Sequence, residues 1–303
     1  MGAQDSPADL VAALRALFGQ HRARPAHAKG VLLEGAFKCT REAHQLCASP
    51  LFDGAIDHVT VRFSSSTGLP GIPDTAPEAS PRGLAVRFRL RDGAHADVVA
   101  HSFDGFPVGT AAEFGTFLHA VAASGPEAAK PTALDRFLAE HPAAVRFLTT
   151  QQGPPVSWAT LAYYGVNAFR FVDAQGRGTH VRYRLVPQAG VQLLDAAAVA
   201  SKGPDYLAEE ITARVGREPI LFDWFAQIAE RGDVVDDPST PWPPTRRLVR
   251  LGTIEIVRMA FDQALDERVI GFLPGNVPPC IEPADPMIAV RDAAYRLSYA
   301  DRQ

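Results

Sequence analysis

Cysteine is scarce: the 303-residue chain holds only Cys39, Cys47 and Cys280, widely spaced and without a C-x-x-C pair. An odd, scattered set of this kind argues against a disulfide framework and a cysteine-built zinc site, and fits a reducing compartment. No stretch approaches the roughly 20 apolar residues that cross a bilayer, so no membrane partner is expected. The opening residues MGAQDSPADL lack the basic and apolar regions of a secretory leader, which makes the cytoplasm the expected location. They match the loose acylation pattern M-G-x-x-x-[ST] through Gly2 and Ser6, a pattern short enough to arise by chance. No strand-like stretch leads into G-x-G-x-x-G, so a dinucleotide phosphate loop is not expected. Neither charge is in excess. With 30 basic residues against 34 acidic ones, the net charge of -4 supplies no field for nucleic acid or anionic lipid. Arg87, Arg89 and Arg91 cluster locally, but no stretch interleaves basic and aromatic residues as a nucleic-acid groove does. Nucleic acid is therefore not an expected partner.

What is present is the composition of a globular protein, 47% hydrophobic and 21% charged, in a chain long enough for one large domain. Residues 7–19 form an amphipathic pattern with Pro7 suited to a first helical turn. Alternation then marks strands. In the segment 57–64, Val59, Val61 and Phe63 fall on one face, and His58, Thr60, Arg62 and Ser64 on the other. Segments 83–90, 96–103, 167–172, 179–186 and 251–257 have similar β-type composition, with helical stretches near 111–123, 132–148 and 204–215. Strands arrive in clusters rather than alternating with helices. That order predicts an α+β fold built on an antiparallel barrel, not a doubly wound parallel sheet. Proline-rich stretches at 68–83, 236–245 and 273–283 read as ordered loops around the core. No repeat or low-complexity linker interrupts the chain, so residues 1–303 are expected to form a single domain.

The last helix carries the chemistry. Asp285 and Pro286 read as its cap and first residue, and no breaker follows to the end of the chain. Arg291, Tyr295, Ser298 and Arg302 then fall within one stripe about 60° wide, at 100° per residue. Taken alone, such a stripe also suits an ordinary surface helix with a half-buried tyrosine. Its chemical reading is narrower. A free phenol titrates near about pH 10, and a guanidinium one turn away together with ferric iron would favour the phenolate. Tyrosinate is a proximal haem ligand.

Upstream stand ARPAHAKGVLLEGAFKCT at 23–40 and VTVRFSSSTG at 59–68. With the R-x-x-x-Y of the last helix, these segments resemble the catalase family, and in particular its short catalase-related peroxidases. The likeness runs through RGLAVRF, YYGVNAFRF, DDPSTPWP, LGTIEI and NVPPCIEPADP in the same order. It implies a catalase-like barrel core with surrounding helices, without the C-terminal helical region of full catalases. The cofactor would be haem b, its iron held by Tyr295 with Arg291 beside it. His27 matches the distal histidine, which moves a proton between the two oxygens of a bound peroxide. Ser64 matches the serine that orients this histidine. Arg24, Arg62 and Arg302 match the arginines that pair with the haem propionates. Phe106 and Phe114 match aromatic residues lining the distal side, although ordinary core packing would suit them equally.

The sequence also departs from the family. His101 stands where an asparagine is usual, Ser298 where threonine is more common, and Cys280 where glycine is expected. A histidine at 101 would bring a second titratable ring and hinder the orientation of a second peroxide. Loss of outer elements should admit larger co-substrates. The expected activity is thus reduction of hydrogen peroxide or an organic hydroperoxide by a small organic reductant, with weak residual catalase activity. Two alternatives stand beside it. A rearrangement of fatty-acid hydroperoxides, resembling allene oxide synthase, conflicts with Ala26, since those enzymes carry threonine before the histidine. A barrel that merely binds haem would need no proton-transfer group. The family's oligomeric habit suggests a homodimer.

Overall fold

The computed structural model of the chain describes residues 6–302, so Gly2 of the acylation pattern lies outside the described residues. Its strands are β1 (Gly30–Cys39), β2 (Ile56–Ser65), β3 (Arg82–Arg89), β4 (His95–His101), β5 (Tyr163–Val172), β6 (Gly178–Pro187), β7 (Ile220–Ile228), β8 (Leu248–Met259) and β9 (Ile281–Pro283). They hydrogen-bond in the order β4-β3-β2-β1-β8-β7-β6-β5-β9, every pair antiparallel, and His101 of β4 bridges to Tyr164 of β5. That bridge closes eight strands into the antiparallel barrel expected from the clustered strands, with β9 as a short flap on β5.

Alternation in β2 works as expected. Val59, Val61 and Phe63 point inward and are fully buried. The interior is filled by aromatic rings: Phe37 meets Phe88 with centroids 5.1 Å apart, and Trp224 stacks on Phe88 at 5.2 Å. A barrel of eight strands has room for its own side chains or one small ligand, and here the side chains take the space.

Two barrel strands go beyond those expected, β1 and β7; β7 alternates in burial over most of its length, but apolar Leu221 and Phe225 on its half-buried face blur that pattern in the sequence. Leu32 and Leu33 of β1 are both fully buried, Leu33 in the barrel and Leu32 under Ala260, Ile270 and Phe272 outside it. Strands covered on both faces lose the period-two signal. The expected helix at 132–148 is two helices, α4 (Ala133–Glu140) and α5 (Pro142–Thr149). Pro142 has no N–H, and it forces His141 before it out of the helical region, to φ -125° and ψ 80°.

The other helices are α1 (Pro7–Phe18), α2 (Arg41–Leu46), α3 (Ala111–Ala122), α6 (Ala196–Ala200), α7 (Tyr206–Val215), α8 (Gln263–Val269) and α9 (Met287–Ala300). Helix α1 packs on both α3 and α9, and Arg15 of α1 pairs with Asp301 at 2.5 Å just past α9. Asp285 sits one residue further out than expected: it accepts from the Met287 N–H at 2.9 Å while Pro286 takes the cap position. Arg302 lies beyond the helix, after the cap at Asp301, rather than on its last turn.

Cys280 adopts φ +69°, the left-handed region that only glycine enters freely. This accounts for the glycine usual there. Its carbonyl accepts from Val172 N–H at 2.8 Å and from the Cys47 thiol at 3.2 Å, both of which survive loss of its side chain. Cys280→Gly should therefore stabilise the fold by about 0.5–1 kcal/mol once the added chain entropy of glycine is subtracted, read as a higher urea midpoint.

Candidate functional site

Because the interior is full, the chemistry-bearing residues lie on the outer wall of the barrel. Arg62 and Ser64 point away from Val61 and Phe63, yet they are only 3% and 4% exposed. Cross-strand register sets two rows on this wall. Gly30, Ser64, Gly83 and His101 stand side by side on β1 to β4, and the next row holds Leu32, Arg62, Ala85 and Val99. Of the glycines in the first row, Gly30 makes room for the Arg62 guanidinium and Gly83 for His27. A Cβ on Gly83 would sit 2.4 Å from Ser64 Oγ and 2.7 Å from His27 Nδ1.

His27 belongs to the irregular segment before β1 and is held in the left-handed region at φ +56°. Histidine tolerates this region better than most residues, but it needs support. The His27 N–H donates to Ser66 O at 3.0 Å, and the Ala28 N–H to Thr67 O at 2.9 Å, which pins the segment to the end of β2. Its Nδ1 lies 3.0 Å from Ser64 Oγ. Burial and then the positive Arg62, with His101, Arg291 and Arg24 behind it, hold this imidazole down at about 3. His101 is likewise held at about 3 by burial and by Arg291, and its Nε2 has no hydrogen-bond partner among the described residues.

Facing this wall is α9. Arg291 Nη2 donates to the Tyr295 hydroxyl at 3.0 Å. Behind Arg291 runs a chain the sequence reading missed: its Nη1 donates to Asn167 Oδ1, and Asn167 Nδ2 donates to Asp285 Oδ2 at 2.6 Å. The guanidinium is thus aimed at the phenol from a fixed base. Nothing in the spacing of Asn167, on β5, against the last helix signals that contact.

Tyr295, Ser298 and Arg302 share one cavity with His27, Ser64, Arg62 and Arg24, with Ala85 and Val99 forming its apolar floor. Arg291 is not on the cavity wall but supports it through Tyr295. Phe106 stands beside His101, ring centroids 6.4 Å apart, and packs at a tilt against Phe114 at 5.2 Å. These two phenylalanines sit with the packing of α1, α3 and α4 and do not line the cavity. Packing, the blander of the two expectations for them, describes what they do here.

The three arginines are gathered at one end, where Glu267 of α8 joins them. Its carboxylate pairs with Arg62 Nε at 2.6 Å and with Arg24 Nη1. Burial, then Arg62, hold Arg24 well below the usual guanidinium range. Burial opposes the ionised Glu267, but Arg62 and Arg24 outweigh it and keep the carboxyl below its ordinary value. Arg302 reaches Ile270 O at 3.4 Å, while its Nε and Nη1 have no partner among the described residues. Buried donors left open in this way are rare unless a ligand takes them.

A haem fits this donor set. A phenol and a histidine line the same apolar space, and the open guanidinium nitrogens at one end suit carboxylates. The cavity itself is about 120 Å³, below the roughly 300–1,000 Å³ of ordinary ligand sites. A wall must yield to admit a porphyrin.

A closed antiparallel barrel with its reactive side chains on the outer wall, under a C-terminal tyrosine helix, defines the class. The sequence pattern of the family described as Catalase matches residues 18–303, and the chain belongs to the catalase family. It is 36% identical over 302 residues to a catalase-related peroxidase of Mycolicibacterium paratuberculosis, covering 97% of this chain and 93% of that one. A catalase-related peroxidase of Synechococcus elongatus is 29% identical over 303 residues, covering 98% and 88%. Among solved structures, a fungal catalase superposes with a TM-score of 0.80 at 23% identity, covering 92% of this chain and 59% of its own. Catalase A of Saccharomyces cerevisiae gives the same score at 22% identity, covering 92% and 61%. The chain thus spans well over half the length of the full catalases whose fold it shares. As a member of this family it is an oxidoreductase acting on peroxide. Helix α1, apart from Phe18, precedes the matched span.

The two depressed histidines make stability depend on pH. Both imidazoles take up a proton near 6.5 when unfolded and only near 3 when folded. The unfolded chain therefore binds more protons between these values, so stability rises with pH there and is lost as pH falls from 6.5 towards 3. Urea unfolding at pH 7 and pH 4.5 should show this decline, and His101→Asn should make it shallower. An equal decline in the variant would remove His101 as a source.

Proposed function

We propose that this protein is a haem-dependent peroxidase that reduces hydrogen peroxide or an organic hydroperoxide at the expense of a small organic donor. One observation carries the reading: the His27–Ser64 pair and the Arg291–Tyr295 pair line or support a single cavity. Haem b, when bound, supplies the redox-active iron that accepts oxygen from the peroxide. Tyr295 would ligate that iron, and the Arg291 guanidinium, held by Asn167, donates to its oxygen and fixes its direction. Arg24, Arg62 and Arg302 would hold the propionates, and Ser298 adds a hydroxyl on the tyrosine's face of the helix.

His27 performs the proton work. With Nδ1–H donating to Ser64 Oγ, Nε2 is left as the acceptor for a peroxide proton, and it returns that proton to the departing oxygen. Its low proton affinity keeps the ring neutral and ready at neutral pH. A base this weak holds the proton loosely, which suits prompt return. Ser64 fixes the tautomer and ring plane. His101 does not line the cavity, but it stands on β4 beside Gly83, which does, and its ring would crowd the peroxide path once a porphyrin opens that space. That crowding favours a single peroxide followed by an organic donor over two peroxides in turn, leaving weak catalase activity.

Replacement of the ligand tests the first half of the reading. Tyr295→Phe should abolish the high-spin ferric Soret band of the purified protein or cut its haem affinity; an unchanged spectrum and affinity would remove Tyr295 from the iron. Replacement of the base tests the second. His27→Ala should retain haem and lose about 10²–10⁴-fold in the oxidation of a phenolic dye by hydrogen peroxide. A full rate in that variant would exclude a proton-transfer role.

A further inference from the structure

The wall that must yield can be named. Helix α8 has no buried residue, and its outer face shows Leu265 and Val269 to solvent, with Phe261 fully exposed just before it. What ties it down is polar. The Gln263 side chain accepts from the Leu32 N–H at 2.9 Å and donates to Leu32 O at 2.6 Å. Glu267 grips Arg62 and Arg24, and Ile270 O accepts from Arg24 Nη2 at 2.9 Å. The residues that follow, Gly271 and Phe272, are themselves part of the cavity wall. An element held by a few side-chain bonds and little apolar burial belongs to the part of a fold that opens first.

The grip uses the donors a cofactor carboxylate would need. Arg62 spends Nε on Glu267 and Nη2 on Ala28 O, and Arg24 spends Nη1 on Glu267 and Nη2 on Ile270 O. Of these three arginines, Arg302 is the one whose buried Nε and Nη1 have no partner among the described residues. One carboxylate can therefore enter at Arg302 without cost, but a second must exchange with Glu267.

We propose that Glu267 is a carboxylate latch: it competes with a haem propionate for Arg24 and Arg62, and its release lets α8 swing outward as the cofactor enters, pivoting on Ile270 and Phe272, which stay packed with Leu32 and Ala260. This rests on the haem-binding reading above. With Glu267 displaced, the two propionates of haem b would meet the three guanidiniums of Arg24, Arg62 and Arg302 in its place. The latch has a use of its own. Without an anion between them, Arg24 and Arg62 would repel each other in a poorly solvated place, and Glu267 keeps them folded and parallel until a better-placed carboxylate arrives.

The test is titration of the full chain with ferric haem and with its dimethyl ester, which carries no free carboxylate, followed by Soret absorbance and stopped flow. Glu267→Gln should bind haem about tenfold more tightly than the wild type and bind the diester no differently. Equal haem affinity in the two proteins, or weaker binding by the variant, would overturn the latch. Should Glu267→Gln fail to fold, Gln263→Ala decides: it loosens α8 from β1 and should speed haem association several-fold, whereas an unchanged rate overturns the proposal. Failure of the wild type to take up either porphyrin would instead sink the haem reading, and the latch with it.

Discussion

A barrel packed solid with aromatic rings has no interior left for a cofactor, and this constraint shapes the rest of the molecule. Phe37, Phe63, Phe88 and Trp224 fill the space that a ligand-binding barrel leaves open. The reactive residues must then occupy the outer wall, where a strand's second face would ordinarily meet water. Arg62 and Ser64 are buried there only because α1, α9 and the segment after α8 cover them. The cover is therefore not decoration on a finished barrel. It turns a polar strand face into a place where a charge is poorly solvated, and poor solvation is what depresses His27 and His101.

The same cover explains the division of labour among the arginines. Arg82 is also deeply buried, and although its Nε has no partner among the described residues, its Nη1 donates to Ser65 Oγ at 2.7 Å and its Nη2 to Asp74 O at 2.5 Å, while Lys29 salt-bridges Asp74 at 2.9 Å. That group carries its own counter-charge and is structural. Arg24, Arg62 and Arg302 form an open group by contrast, with one carboxylate among three guanidiniums and two nitrogens of Arg302 unmet. A buried cluster with excess charge of one sign costs stability unless a counter-ion joins it, so it marks a place kept for a ligand. Arg87, which binds Asp97 through two nitrogens at 2.8 and 2.7 Å, shows how this chain satisfies an arginine that serves the fold alone.

Much of the barrel and one wall of the site were legible in the sequence, for identifiable reasons. The segment around Val59, Arg62 and Ser64 has a clean period of two, so the sharing of one face by Arg62 and Ser64 could be read directly. Arg291 and Tyr295 are a helical turn apart, and the helix places them as that spacing requires. His27 was different: no periodicity surrounds it, and only the family resemblance singled it out. β1 stayed hidden because Leu32 and Leu33 are buried on opposite faces, and β7 because apolar Leu221 and Phe225 occupy its half-buried face. Asn167, Asp285 and Glu267 were missed because their partners are distant in the chain. Arg62 and Glu267 are 205 residues apart, and nothing local to a short helix such as α8 shows which carboxylate will meet a strand.

The conformation of His27 ties these points together. A histidine at φ +56° is not there by local preference, and the strain of order 1–3 kcal/mol must be met elsewhere. It is met by two backbone hydrogen bonds to the end of β2, whose next residues inward, Ser64 and Arg62, face the cavity. The strand that carries the orienting serine therefore also holds the backbone of the base, so the two atoms 3.0 Å apart cannot drift independently. Gly83 on the neighbouring strand leaves the gap into which the ring fits, and a side chain there would strike both partners. A site built in this way relies on register rather than on flexible loops. It can hold one ring at fixed height independently of α8, which has no buried residue and is bound to β1 through the Gln263 side chain.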